Sequence, residues 1–348
     1  MKRIDIKSYD RDIRLSSVQA LRMVSPSAVS SGPNGEAEPL NKKLVMAKRQ
    51  SVARAAFTIV ELLTVMSIIV ILIGLLLPAL NRVRIYAKEV RQRAQFHSID
   101  AALELFNNEF DGYPPSSAKD PKGADYCGAM KLCEAMMGQD MLGFHTNSVY
   151  RQDGWDKDQA DGGIDLYPQS PLPDNLKARK GPFLPSESAN AYSMRDTYGP
   201  DVGAALDPCS FVLCDVYTRP KPGAKKTGMP VLYYKANTAN NLHYYPGPPP
   251  IGELPLYGDD KGNIYNYFDN HELVWLGKPW VAGSSESPTK KHSLVDPGRF
   301  YKNTKSHKIT TAIRPYRADS YILLSAGFDG EYGTADDIFN FEWEYTSE

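Results

Sequence analysis

The sequence predicts an α+β fold: a long N-terminal helix, first transmembrane and then amphipathic, packed on a small antiparallel β-sheet enlarged by irregular insertions. Three observations predict it. Residues 62–80 carry no charge. Together with residues 57–61 they are long enough, at about 1.5 Å per residue, to cross a bilayer core of roughly 30 Å. Apolar residues then recur at helical spacing as far as Phe110. Beyond residue 116 only short runs rich in β-branched and aromatic residues stand between turn signals.

Taken in order, residues 1–56 read as a leader. Its first 45 residues contain the low-complexity stretch SPSAVSSGPNGEAEP and are expected to be disordered, or untranslated if synthesis starts at Met46. A secretory signal peptide is the competing reading, but the apolar run is too long for an ordinary signal core and no A-x-A site follows it. Residues 57–80 are the transmembrane helix. It holds one carboxylate, Glu61, whose cost in a membrane marks it as a functional candidate. Pro78 is expected to kink the helix by removing a backbone donor. Five Lys or Arg precede the span (Lys42, Lys43, Lys48, Arg49, Arg54) and five follow it (Arg82, Arg84, Lys88, Arg91, Arg93), so charge bias does not set orientation.

Residues 81–112 form an amphipathic stem. Val83, Ala87, Val90 and Ala94 lie on one helical face, weakly extended by Ala101 and Leu105. Phe96, Ile99, Leu103, Phe106 and Phe110 lie on nearly the opposite one. The second set is expected to pack on the chain's own globular domain, and the first on neighbouring subunits or lipid. Asp111-Gly112-Tyr113-Pro114-Pro115 stops the helix, with Gly112 suited to its cap.

Residues 113–348 form the globular domain, with an insertion at 120–320. Residues 126–142 are a short helical candidate; 211–217, 231–235 and 321–325 read as strands; 246–250 (PGPPP) is a loop or polyproline spacer. A net charge of −1 in 348 residues argues against nucleic-acid binding. Four cysteines, Cys127, Cys133, Cys209 and Cys214, allow three disulfide pairings outside the cytoplasm; free buried thiols are the alternative, and no zinc spacing is present. Six scattered histidines, with no H-E-x-x-H, G-x-S-x-G or phosphate loop, give no enzymatic signature. Ser284 and Ser285 lack a recognisable catalytic partner. The aromatic-rich stretches 244–257 and 265–280 suit packing better than carbohydrate binding.

Residues 325–338 (SAGFDGEYGTADDI) place Asp329, Asp336 and Asp337 among glycines. Hard oxygen donors on a tight loop suit Ca²⁺, although the spacing is not that of an EF-hand. The alternative is a hairpin built on Asp-Gly and Asp-Asp turn chemistry without metal. A second acidic group, Asp153, Asp156, Asp158, Asp161 and Asp165, reads as a solvated loop.

The basic segment 42–54, the small residue Ala56, then Phe57-Thr58-x-x-Glu61 and an apolar helix resemble the N-terminus of type IV pilin-like prepilins. The acidic loop 325–340 resembles the C-terminal calcium loop of the major (G-type) pseudopilin of type II secretion, of the form S-x-G-x-D-G…G-x-x-D-D-I. Ala56 departs from the glycine that the family carries before the cut. The resemblance covers residues 46–115 and 321–341.

It implies cleavage by a prepilin peptidase between Ala56 and Phe57, N-methylation of Phe57, and pairing of Glu61 with the amine of a neighbouring subunit's first residue. Pro78 falls where the family has its proline. For the metal it implies Ca²⁺ held by Asp329, Asp336 and Asp337 with carbonyls near Ala326 and Thr334. The implied protein is a non-enzymatic filament subunit. It spans the inner membrane once, with its N-terminus cytoplasmic and its domain periplasmic. Its implied partners are copies of itself, other pseudopilins and the inner-membrane secretion platform. A surface pilin for adhesion or DNA uptake, and a binding domain or enzyme on a pilin-like stem, are the alternatives.

Overall fold

The computed structural model describes residues 58–199, 202, 206–221, 224–245, 247, 262–281, 291–309 and 312–345. Contacts divide the chain after Leu62 into two units. Of the first, residues 58–62 are described and supply the opening turn of helix α1. The leader, the cleavage position Ala56–Phe57, Ser284, Ser285 and most of the PGPPP segment lie outside the described residues.

The protein is α+β. Helix α1 runs from Ile59 to Phe110, 52 residues, with Pro78 inside it. Every residue from Thr58 to Ala87 is exposed, and the helix is long and apolar enough to cross a membrane. Its upper half buries Gln92, Gln95, Phe96, Ile99, Ala102, Leu103 and Phe106, while Ala94, Ala101 and Leu105 stay exposed. The two expected faces are therefore both present. The helix ends where Asp111 adopts a left-handed conformation (φ 53°). Asp111, not Gly112, takes the position that reverses the chain; a short polar side chain tolerates it.

Strand β7 (Leu232–Lys235) pairs antiparallel with β8 (Tyr321–Ser325), and β8 with β9 (Ile338–Phe339). The register sets Leu232 opposite Leu324 and Tyr233 opposite Leu323. Because successive side chains alternate between faces, Tyr233, Tyr321 and Leu323 join the cluster built on Phe96, Ile99 and Leu103. Leu232, Tyr234, Ile322 and Leu324 instead join a second cluster with Phe300, Tyr265 and Tyr267. The sheet is thus covered on both faces, by α1 and by the insertion. That explains why Tyr321 to Leu324 (YILL) run without a polar alternation.

Helix α2 (Gly128–Met137) buries all ten of its residues. A Cβ at Gly128 would stand 2.4 Å from the Tyr233 carbonyl oxygen, so glycine permits this close approach. The helix is shorter than the 126–142 candidate because Gly138, at φ 80°, turns the chain away. The 211–217 segment is likewise strand only over Phe211–Leu213, here β4, paired with β3 (Ala191–Ser193). It breaks at Asp215, whose Oδ1 accepts the amides of Tyr217 (3.0 Å) and Met229 (3.1 Å), forming a turn that competes with the ladder. In place of a single sheet the insertion contributes, among the described residues, three further two-stranded ladders: β1 (Phe144–His145) with β2 (Arg179–Lys180), β3 with β4, and β5 (Arg219–Lys221) with β6 (Ala224–Thr227). All four cysteines are free thiols; Cys127, Cys133 and Cys214 are buried and Cys209 is exposed.

Candidate functional site

Two regions hold the residues singled out by sequence. At the start of α1, the Thr58 amide and hydroxyl donate to Glu61 Oε2 at 2.9 and 2.8 Å, while the Glu61 amide donates to Thr58 Oγ1 at 3.2 Å. This reciprocal pattern is a capping box: it satisfies amides that have no partner inside the helix. The T-x-x-E spacing carried that signal, and it gives Glu61 a structural task in addition to any pairing with a neighbour. The α1 backbone remains helical on both sides of Pro78.

The acidic loop joins β8 to β9. Its base is fixed by Ser325, whose Oγ donates to Asp215 Oδ2 at 3.0 Å and accepts the Gly327 amide at 3.2 Å. Gly327 lies at φ 61°, and a Cβ there would stand 2.0 Å from the Asp336 carbonyl oxygen, so only glycine lets the two arms of the loop meet. Asp336 Oδ2 accepts the Asp329 amide at 2.7 Å and Oδ1 accepts Thr334 Oγ1 at 2.7 Å. Asp329 Oδ1 accepts the Glu331 amide at 2.7 Å, and Asp337 Oδ2 accepts the Gly333 amide at 2.8 Å. Asp-based turn chemistry therefore accounts for much of the loop.

It does not account for all of it. Asp337 is buried, and its Oδ1 has no hydrogen-bond partner among the described residues. Burial pushes the Asp329 carboxyl up to about 6, helped by the adjoining Asp336. Burial likewise pushes Asp337 well above the usual carboxylate range, with Asp336 and Asp329 adding to the effect. One buried carboxylate with an orphaned oxygen, beside the further acids Asp329 and Asp336, fits a hard cation in donor chemistry. Among the described residues, however, no three Asp, Glu, His or Cys side chains stand ready-arranged as a metal-binding group. The Ala326 backbone is buried beside the loop, and the Thr334 carbonyl accepts the Asp337 amide at 3.3 Å.

Sequence reasoning missed three groups around this loop. Asp215, fully buried, braces its base; burial raises its carboxyl to about 7. Glu331 turns away from the other acids to pair with Lys278 at 2.5 Å and Ser293 at 2.7 Å. Phe328, at the tip, lies 5.9 Å from both the Lys88 ammonium and the Arg219 guanidinium and stands edge-on to Tyr217. No spacing rule links these residues, because they come from distant segments.

Other candidates make local structural contacts. Asp153 and Asp158 pair with Arg151 at 2.7 and 2.8 Å, and Asp156 accepts the amides of Lys157 and Ile164, giving an ion-paired surface loop. His243 bonds the Tyr301 carbonyl and Thr304 inside the core. Of the aromatic-rich stretches, Tyr265 and Tyr267 are fully buried, whereas most of 244–257 lies outside the described residues. Comparisons of the chain with protein-family models, with curated proteins and with solved structures give no match.

Proposed function

We propose that the chain is a pilin-like filament subunit, a pseudopilin of a type II secretion system, with no catalytic role. The observation that carries this reading is the division of α1. One continuous helix is uncharged from Leu62 to Leu80 and exposed from Thr58 to Ala87, and its upper half is locked onto a domain that carries a β-hairpin with an acidic loop. An exposed apolar rod in water is unfavourable, so it needs lipid or copies of itself as surroundings. In this reading a peptidase frees the amine of Phe57, and Glu61 pairs with that amine on the next subunit. An opposite charge in low dielectric would hold the register.

Calcium belongs to the same reading. Asp329, Asp336 and Asp337 would hold it, with Asp337 Oδ1 gaining the partner it lacks. The ion would supply positive charge that offsets carboxylate repulsion in the folded loop, and binding to the folded state alone would stabilise it.

The test separates the two tasks of Glu61. Glu61→Gln keeps the capping geometry but removes the charge, whereas Glu61→Ala removes both. Co-expressed with a prepilin peptidase, the wild type should yield a mature N-terminus at Phe57 by mass spectrometry and filaments by electron microscopy. Glu61→Gln should still enter the membrane yet assemble poorly. Normal filaments from Glu61→Gln would reduce Glu61 to a helix cap, and an N-terminus retained ahead of Phe57 would overturn the filament reading.

A further inference from the structure

Immediately beyond the apolar span, α1 carries five cations and one acid within twelve residues, Arg82 to Arg93. The single acid, Glu89, is taken by Arg93 at 2.9 Å. Arg84, Lys88 and Arg91 follow i, i+4, i+7 spacing and so share one stripe, from which Glu89 is absent. Arg82, Arg84 and Arg91 are exposed, and their side chains make no hydrogen bond or ion pair among the described residues. If the uncharged block ends at Leu80, a rise of about 1.5 Å per residue places Arg82 and Arg84 roughly 3 and 6 Å above the hydrocarbon edge. Lys88 and Arg91 then stand about 12 and 17 Å above it. The first two lie at headgroup depth, and long side chains and screening lengths near 10 Å bring the others within electrostatic reach.

Cations on this side of the span are not explained by orientation, since an equal number precede it. We propose that Arg82, Arg84, Lys88 and Arg91 form a collar that binds anionic phospholipid headgroups in the leaflet where the span ends. The collar would hold the subunit at a fixed depth. Guanidinium groups match phosphate oxygens with two parallel hydrogen bonds, and unpaired ones are free to do so. The stripe is also continuous with the lipid-facing surface, which fixes lipid as the occupant. The proposal rests on the reading of α1 as a membrane span.

The experiment uses the full chain in nanodiscs of phosphatidylcholine with or without phosphatidylglycerol, with incorporation checked first by flotation. Native mass spectrometry then counts retained lipids. The wild type should retain phosphatidylglycerol over phosphatidylcholine, and salt should weaken that preference. The triple variant Arg82→Gln, Arg84→Gln, Arg91→Gln should lose at least about tenfold of the preference, since each surface cation contributes roughly fivefold. Equal retention of the two lipids by the wild type overturns the proposal without needing any variant. So does a triple variant of unchanged selectivity, or one whose only change is its oligomeric state in neutral lipid, which would make a second copy the occupant. A chain that fails to float with lipid overturns the span itself, a distinguishable result.

Discussion

Phe106 tests whether the stem is held by its buried face. It is 3 % exposed, with ring centroids 4.5 Å from Phe110, 5.2 Å from Phe144 and 5.5 Å from Phe183. These contacts bring the stem and two segments of the insertion, β1 (Phe144–His145) and the loop at Phe183, to one point. Phe106→Ala removes the ring from a packed site that cannot easily collapse, because three aromatic neighbours are fixed by separate segments; the cost should be about 3–5 kcal/mol. At roughly 2–4 °C per kcal/mol for a domain of this size, the melting temperature should fall by about 6–20 °C. Leu105, one residue earlier and 57 % exposed, is the internal control: Leu105→Ala should cost under about 0.5 kcal/mol. Thermal melting of the full chain in detergent micelles, followed by near-UV circular dichroism, reads both. Equal losses for the two variants would show that the stem is not seated on this face.

Asp215 should give a pH signature. Its folded pKa, about 7, is raised above the ordinary 3.8 by burial. The stability it contributes is therefore complete below about pH 4 and is lost as pH rises through 7, by at most about 4 kcal/mol. His243 and His292, pulled down to about 4 and 3 by burial, act in the opposite sense over much of that window, so the difference between wild type and Asp215→Asn is the informative quantity. That difference should move in favour of the variant from pH 4 to 8; a flat difference would refute the burial argument. Chelation with EDTA should lower the melting temperature of the wild type but not of Asp337→Ala, and no shift in demonstrably metal-free protein would remove calcium from the loop. Phe328→Ala should cost about 1–2 kcal/mol through its two cation–π contacts and the Tyr217 edge. A melting temperature unchanged by this substitution would leave the tip of the loop uncoupled from the stem.

Periodicity made α1 legible, with Phe110 as its last residue, because a single rule, apolar residues on one face, governs a helix of this length. It did not reveal Gln92 and Gln95, which sit on the buried face and read as breaks in the stripe. They are there because Gln92 Oε1 accepts the Val216 amide at 2.9 Å and Gln95 Nε2 donates to the Cys214 carbonyl at 2.9 Å. These bonds satisfy backbone groups left open where β4 ends, which no local pattern could announce. β7 and β8 were legible by composition, but their two-sided burial was not, since that depends on an insertion without regular periodicity. The same holds for α2, whose all-round burial erases the helical stripe by which its ends would be read.

The acidic loop shows how these two levels meet. Its glycines and aspartates announce a tight, charged turn, and the structure supplies the turn. What holds it in place is non-local: Asp215 beneath Ser325, Lys278 on Glu331, and Lys88 from the stem over Phe328. Lys88 also belongs to the cationic stripe above the apolar span, so one side chain adjoins both the loop and the collar. A lipid phosphate that drew Lys88 away would loosen Phe328. In the proposed collar, a headgroup phosphate and the Phe328 ring would therefore compete for one cation.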